Sequence, residues 1–115
     1  MQMIRFGLPF KVSTNEIYAG THWTKRKKHK DIMLWAFLGV KSQLKPVDKC
    51  TIKFEFSFKS RPLDNTNCSY LAKLIEDCLV HYKILKDDNY KIVEEITISS
   101  RKGDKDQVLI TINGE

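Results

Sequence analysis

The clearest feature of the chain is a regular alternation of apolar and polar residues over positions 51–59. Successive side chains of a strand point to opposite faces of a sheet, so this pattern predicts a half-buried central strand. Similar alternation predicts a first strand over residues 2–10 and two later strands over residues 92–98 and 108–112. The segment between the later strands, residues 101–106, is rich in Gly and Asp and predicts a closing hairpin. The apolar face of the central strand consists of Ile52, Phe54, Phe56 and Phe58.

Two helices are predicted from apolar residues that recur every three or four positions. The first begins after Thr24 as its N-cap and ends near Val40, and the second extends from Cys68 to Tyr82 with Asn67 as its N-cap. The predicted core face of the first helix comprises Ile32, Trp35, Ala36 and Gly39. That of the second comprises Leu71, Leu74, Ile75, Cys78 and Leu79.

The resulting order of elements is strand-helix-strand-helix-strand-strand. Interleaved helices and strands of this kind predict an α+β fold in which two helices pack on a small mixed β-sheet. Residues 12–21, between the first strand and the first helix, are too polar for the core and are predicted to form a loop. A length of 115 residues is enough for one hydrophobic core, so we expect a single domain over residues 1–115.

Several classes of protein are excluded by the apolar segments and the cysteines. The longest apolar stretch, residues 32–40, is much shorter than the ~20 residues of a membrane span. The N-terminal segment has no cleavable apolar run. The 3 cysteines are odd in number and lack metal-ligand spacing, which fits a reducing compartment better than a disulfide framework. We therefore expect a cytoplasmic protein with no membrane span.

Charge is concentrated in one basic segment. The chain has a formal net charge of +6 and a pI near 9.3, and a run of cations favours a polyanion as the partner, because Lys and Arg release condensed counterions when they contact phosphates. His22 and Trp23 precede the run, and Trp23 is able to stack on an unpaired base. The other reading is a solvated helix face, with Trp23 packed as the N-terminal staple of the helix. The cations are Lys25, Arg26, Lys27, Lys28 and Lys30.

A second group of polar residues surrounds the second helix. Asp64 precedes the helix, Lys73 and Asp77 lie within it, and Asp88 follows it. The three carboxylates are able to hold a divalent metal, and Lys73 is able to stabilise the non-bridging oxygens of a phosphodiester during hydrolysis. In the alternative reading, Lys73 and Asp77 form an i,i+4 ion pair on the helix surface, and the other residues shape a cap and a turn.

The order of these blocks resembles the RusA family of phage Holliday-junction resolvases. The first block is Asn15-Glu-Ile-Tyr18, followed by the basic segment. The second has the type Asp-x-Asp-Asn-x-x-Lys-x-x-x-Asp-x-Leu in altered form, and the third is the pair Asp87-Asp88. Together the blocks extend from about residue 13 to 98.

The resemblance implies a homodimeric, phage-encoded endonuclease that uses Mg²⁺ or Mn²⁺ to cut branched DNA in the cytoplasm of a bacterial host. By the same resemblance, Lys73 and Asp88 would be catalytic, and Asp77 and Asp88 would be metal ligands. The chemistry of the residues adds Asp64, the nearby acidic residue, to both the catalytic set and the metal ligands. The predicted nucleic-acid contacts are Asn15, Tyr18, His22, Trp23, Lys25, Arg26, Lys27, Lys28, Lys30, Asn67 and Ser69.

One departure from the family pattern leads to a second hypothesis. The Asp-x-Asp of the family falls on Asn67 and Ser69, whereas Mg²⁺ strongly favours anionic oxygen ligands. The alternative is therefore a catalytically impaired protein of the same fold. Such a protein would bind nucleic acid without cutting it, or would act as a phage inhibitor of a host protein.

Overall fold

The computed structural model describes residues 1–18 and 23–114 and has the predicted α+β architecture. Four strands form one mixed sheet in the order β1-β4-β2-β3. Strand β4 is antiparallel to both β1 and β2, and β3 is parallel to β2. The strands are β1 (Gln2–Gly7), β2 (Cys50–Phe58), β3 (Val93–Lys102) and β4 (Gln107–Gly114).

Three helices accompany this sheet in the described part of the chain, and two of them correspond to the predicted ones. The prediction of Thr24 as an N-cap is wrong, because Thr24 lies within the helix, which ends at Phe37 and not near Val40. The helices are α1 (Thr14–Tyr18), α2 (Trp23–Phe37) and α3 (Ser69–His81). Two short 3-10 turns, Lys41–Gln43 and Asn65–Cys68, lie in the connections before β2 and α3. None of the described helices combines the length and the apolar character that crossing a membrane requires.

The core lies between the helices and one face of the sheet. The alternating apolar residues of β2 are buried as predicted, and Phe54, Phe56 and Phe58 are fully buried. The Phe56 ring stacks on both neighbours, with ring centroids 6.1 Å from Phe54 and 6.2 Å from Phe58. On the other side of the core, α3 contributes the fully buried Leu71 and Leu79, in agreement with its predicted apolar face.

The predicted closing hairpin is wrong, because β2 lies between β3 and β4. The connection crosses the end of β2, where the Gly103 N–H donates to the Phe58 carbonyl at 2.9 Å. A Cβ atom at Gly103 would lie 2.9 Å from the Ser57 Cβ, so the crossing requires a residue without a side chain. Burial explains the order: β4 buries Val108, Ile110 and Ile112, whereas most of β3 is exposed, as suits an edge strand.

The predicted core face of the first helix is largely wrong: Trp35 and Gly39 are exposed, and Ile32 and Ala36 are only half-buried. The Trp35 side chain is 74% exposed, and the buried residues of α2 are His29, Met33 and Phe37. These three recur at a spacing of four residues and include a polar one, which an apolar pattern does not register. The Nδ1 atom of His29 lies 3.0 Å from the Tyr70 hydroxyl, so its burial is compensated by a hydrogen bond. Burial lowers the pKa of His29.

The predicted loop over residues 12–21 contains a helix, α1, that buries Ile17. The Glu16 N–H donates to the Ser13 hydroxyl at 3.1 Å, and the Ser13 N–H donates to the Glu16 carboxylate at 3.3 Å. This reciprocal pair is a capping box, which stabilises a helix start in a segment of otherwise polar composition. The Ser-x-x-Glu spacing was the sequence signal for it.

Candidate functional site

The start of α3 is positioned by a side chain from α1. The Thr14 hydroxyl accepts a hydrogen bond from the Tyr70 N–H at 2.8 Å, and it lies 2.9 Å from the Ser69 hydroxyl and 3.1 Å from the Asn67 carbonyl. The prediction that Asn67 caps this helix is wrong: α3 begins at Ser69, after Cys68, which makes no side-chain cap hydrogen bond. The cap comes instead from Thr14, which is distant in sequence and therefore invisible to a local pattern.

We expect Thr14→Val to lower the free energy of unfolding by about 0.5–2 kcal/mol, the usual cost of a missing helix cap. The change keeps the shape of the side chain and removes its hydroxyl. Thr14→Ser retains the hydroxyl and serves as the control. Urea unfolding followed by circular dichroism measures both, and equal stability of the Val variant and the wild type would contradict the assigned cap.

The central feature of the site is a cluster of three carboxylates around one ammonium group. Lys73 Nζ donates a hydrogen bond to the Asp88 carboxylate and lies 3.1 Å from an oxygen of Asp77 and 3.8 Å from an oxygen of Glu76. Two of these partners lie three and four residues further along the same helix, so they share a face with Lys73. Asp88 comes from the turn that follows the helix, where the Asp87 carboxylate accepts its backbone N–H at 2.7 Å. We call these four residues, Lys73, Glu76, Asp77 and Asp88, the Lys73 cluster.

Glu76 is the member of the Lys73 cluster that sequence reasoning missed. The residue is only 6% exposed, and its Oε2 atom is buried and has no hydrogen-bond partner among the described residues. Burial raises the pKa of its carboxyl. Its apolar neighbours one turn away, Ala72, Leu79 and Val80, were the signal that this charged side chain lies against the core.

Electrostatics couples Lys73 to its acidic partners. Partial burial alone would lower the pKa of Lys73, but hydrogen bonds to Asp88 and Asp77 outweigh burial and raise its pKa above the usual range. The hydrogen bond from Lys73 in turn lowers the pKa of Asp88. At neutral pH the cluster therefore contains a protonated lysine beside an ionised Asp88. The predicted i,i+4 pair is present, and it is part of a larger and partly buried cluster.

Among the described residues, Asp64 is not an ion-pair partner of Lys73. It is exposed at the start of the 3-10 turn, where its carbonyl accepts the Asn67 N–H at 2.9 Å. The Ser69 hydroxyl donates a hydrogen bond to the Thr66 carbonyl at 2.8 Å, so it stabilises the backbone of the 3-10 turn. In the part of the chain that the structure describes, no group of three or more His, Cys, Asp or Glu side chains has an arrangement that could hold a metal ion. The metal role of Asp64 thus stays a prediction.

A cleft of about 410 Å³ leads from the basic segment to the Lys73 cluster. Two exposed aromatic residues, Tyr18 and Trp23, lie along it, and Lys73 and Asp77 lie on its α3 side. Three of the predicted cations also line this cleft: Arg26, Lys27 and Lys30. Stacking surfaces and cations thus occupy the same opening as the acidic cluster.

The remaining predicted nucleic-acid contacts are distributed differently. Lys25 and Lys28 line a second cleft, on the side of α2 where Phe10 and His29 lie. Asn15 is exposed on α1. The predicted contact of His22 lies outside the described residues. The basic segment therefore has two differently directed sets of cations.

Comparison of the sequence with models of known protein families finds no match, and comparison with curated proteins finds no similar one.

Proposed function

We propose that the protein binds branched DNA in the cleft between α2 and α3. The observation that carries this proposal is the joint lining of the cleft by Tyr18, Trp23 and three cations. Cations follow a phosphate backbone, and exposed aromatic rings stack on bases that have left the duplex. A branch point offers both groups close together, whereas a continuous duplex keeps its base faces covered.

The cleft-lining cations are expected to contribute more to binding than the other cations of α2. Changing Arg26, Lys27 and Lys30 to Gln should lower the slope of log K against log salt by ~0.9 for each duplex phosphate that is no longer neutralised, and by ~0.7 for each single-strand phosphate. Fluorescence anisotropy with a labelled four-way junction at several salt concentrations measures this slope. The matched control is Lys25→Gln with Lys28→Gln, because these cations lie on the same helix and line the second cleft. Equal effects per charge removed would contradict binding in the proposed cleft.

A finer proposal follows from the resemblance to RusA-family resolvases: metal-dependent cleavage of the bound branch. In support of it, Lys73 and Asp77 line the same cleft as the residues proposed to bind DNA. The donor set fits a hard cation, since Asp77 and Asp88 supply anionic oxygens and Glu76 has a buried oxygen that no described residue contacts by a hydrogen bond. Asp64 is the further ligand that the sequence predicts. When bound, Mg²⁺ or Mn²⁺ would neutralise developing charge and lower the pKa of an attacking water.

Cation binding requires a rearrangement of the Lys73 cluster. The ammonium group now contacts the carboxylates that would hold the ion, so Lys73 must turn away from them. Its side chain is half exposed and lines the cleft, which leaves a path toward a bound phosphate. In that position Lys73 would stabilise the non-bridging oxygens of the phosphodiester.

Incubation with a labelled four-way junction and a linear duplex of the same sequence tests both proposals, the binding of branched DNA and its metal-dependent cleavage. Each DNA is incubated with Mg²⁺, with Mn²⁺ or with EDTA. Junction binding in EDTA together with metal-dependent nicking supports the endonuclease, which we expect to act as a phage-encoded homodimer in the bacterial cytoplasm. Junction binding without nicking supports the impaired, binding-only protein. Absence of junction binding overturns the proposal and favours an inhibitor with a host protein as its partner.

A further inference from the structure

Strand β3 lies at one edge of the sheet, and its charge pattern is complementary to that of a second, antiparallel copy of itself. Among the described residues it is the last strand of the sheet on its side, and β2 is its one partner there. In the described part of the chain, backbone hydrogen bonds from outside the sheet do not reach residues 94–102. An edge of this length is a template for pairing with another strand.

The charges of β3 are segregated along the strand. Glu94 and Glu95 lie near its beginning, Arg101 and Lys102 form its end, and no charged residue lies between them. Charges on an edge strand usually prevent pairing, because like charges then face each other. Segregation reverses that effect for one partner: an antiparallel copy of the same strand brings acidic residues opposite basic ones.

From this pattern we infer that β3 pairs with β3 of a second copy of the chain, antiparallel and around a two-fold axis, to form a continuous eight-stranded sheet. Residues directly opposite in such a pair point to the same face of the sheet. The two-fold axis keeps the core faces of both copies on one side, and side chains alternate between faces, so the two residue numbers must both be odd or both be even. Centring the axis on Ile98 satisfies this condition. It places Glu94 opposite Lys102 of the second copy and Glu95 opposite Arg101 of the second copy.

The neighbouring allowed registers do not form these charge pairs. Centring the axis on Thr97 places Glu94 opposite Ser100, and centring it on Ser99 places Ile96 opposite Lys102. The register is therefore specified by charge, as it must be where the strand faces are not strongly apolar. In the inferred register Arg101 lies between Glu95 of the second copy and its own neighbour Glu55, whose carboxylate is 3.2 Å away.

The interface would also cover exposed apolar surface. Ile96 is 43% exposed on the edge strand, and the inferred register brings it beside Ser100 of the second copy. Ile98 would face Ile98 of the second copy across the axis. Apolar and β-branched cross-strand pairs of this kind stabilise a sheet together with the terminal charge pairs.

Cross-linking tests the register directly. Directly opposite side chains lie ~4.5–5.5 Å apart at Cβ, and the short end of this range meets the ~3.5–4.5 Å that a disulfide spans. Ile98→Cys should therefore give a disulfide-linked dimer on a non-reducing gel. Ile96→Cys, on the same strand and face, should not, because its counterpart would be displaced along the strand. Cys50, Cys68 and Cys78 are buried, so the wild type should not cross-link in the native state.

Charge reversal tests the interface without new thiols. Glu94→Lys and Lys102→Glu should each raise the dimer dissociation constant at least about tenfold, since each change affects two symmetric pairs. The double variant should restore wild-type association. Sedimentation equilibrium measures all four proteins, and circular dichroism confirms that each is folded.

A monomeric wild type, equal cross-linking at positions 96 and 98, or failure of the double variant to recover would each overturn the inference. Its readout is self-association in the absence of DNA. Failure of this interface and failure of the proposed DNA binding are therefore distinguishable.

Discussion

Replacing Phe56 with alanine is expected to lower the free energy of unfolding by about 3–5 kcal/mol, because the change leaves a cavity that a close-packed core refills only in part. Phe56 is fully buried in the middle of β2, between the stacked rings of Phe54 and Phe58. Val108, opposite Phe56 on β4, is fully buried as well. A domain of this size typically has ~5–15 kcal/mol of stability, so the loss is a large share of the total.

Urea and thermal unfolding measure this effect. The matched control is Tyr90→Ala, which removes an aromatic ring that is 80% exposed and should change stability by less than ~0.5 kcal/mol. A melting temperature of Phe56→Ala within a degree or two of the wild type would contradict the assigned core.

Asp88→Asn is expected to reduce metal-dependent nicking of a four-way junction by at least about a hundredfold, because removing even a group that only supports a metal ligand costs up to about that much. Asp88 is the carboxylate that accepts the hydrogen bond of Lys73, and the amide keeps its size while removing its negative charge. Junction binding should persist or become tighter, because the change removes a carboxylate that would repel phosphates bound in the proposed cleft. Nicking and anisotropy assays on the same protein preparation separate the two effects.

Lys73→Met provides a second variant with opposite effects on cation binding and on cleavage. Divalent cations should bind it more tightly than the wild type, because the competing ammonium is absent, whereas nicking should fall about 10²–10³-fold with the removal of a charge that acts on the transition state. Mn²⁺ binding followed by electron paramagnetic resonance measures the first effect. Asp48→Asn is the control, since Asp48 forms an exposed ion pair with Lys86. Wild-type nicking that is indifferent to Asp88 would contradict the proposed site.

Local sequence patterns predict the helices and strands of this fold more accurately than they predict which strands are adjacent in the sheet. The alternation in β2 and the apolar face of α3 report burial directly, so both were predicted correctly. The Gly- and Asp-rich segment between β3 and β4 predicts that they pair as a hairpin, yet the buried residues of β4 place it inside the sheet. Periodicity shows which face of a strand is buried, and it contains no information about which strand lies beside it.

The site was partly predictable for the same reason. Lys73, Asp77 and Asp88 were singled out by chemistry and spacing, and the structure brings them together. Glu76 was missed because its burial depends on the packing of α3 as a whole. The hydroxyl of Ser69 has a structural role, since it bonds to the 3-10 turn and lies beside Thr14. That role depends on the proximity of segments that are distant in the chain.

The inner position of β4 has a consequence for how the chain reaches this fold. β1 pairs with β4 from Gln2 opposite Ile112 to Gly7 opposite Gln107. The four-stranded sheet is therefore complete only when β1 and β4, the first and last strands in sequence, have paired. Such non-local pairing is slow, because the entropic cost of closing a long loop precedes the stabilising interactions. The contiguous unit β2-α3-β3 can assemble earlier, and until β4 docks the edge of β2 that pairs with β4 remains unpaired. That interval is when intermolecular strand pairing competes with folding, which makes refolding yield depend on protein concentration.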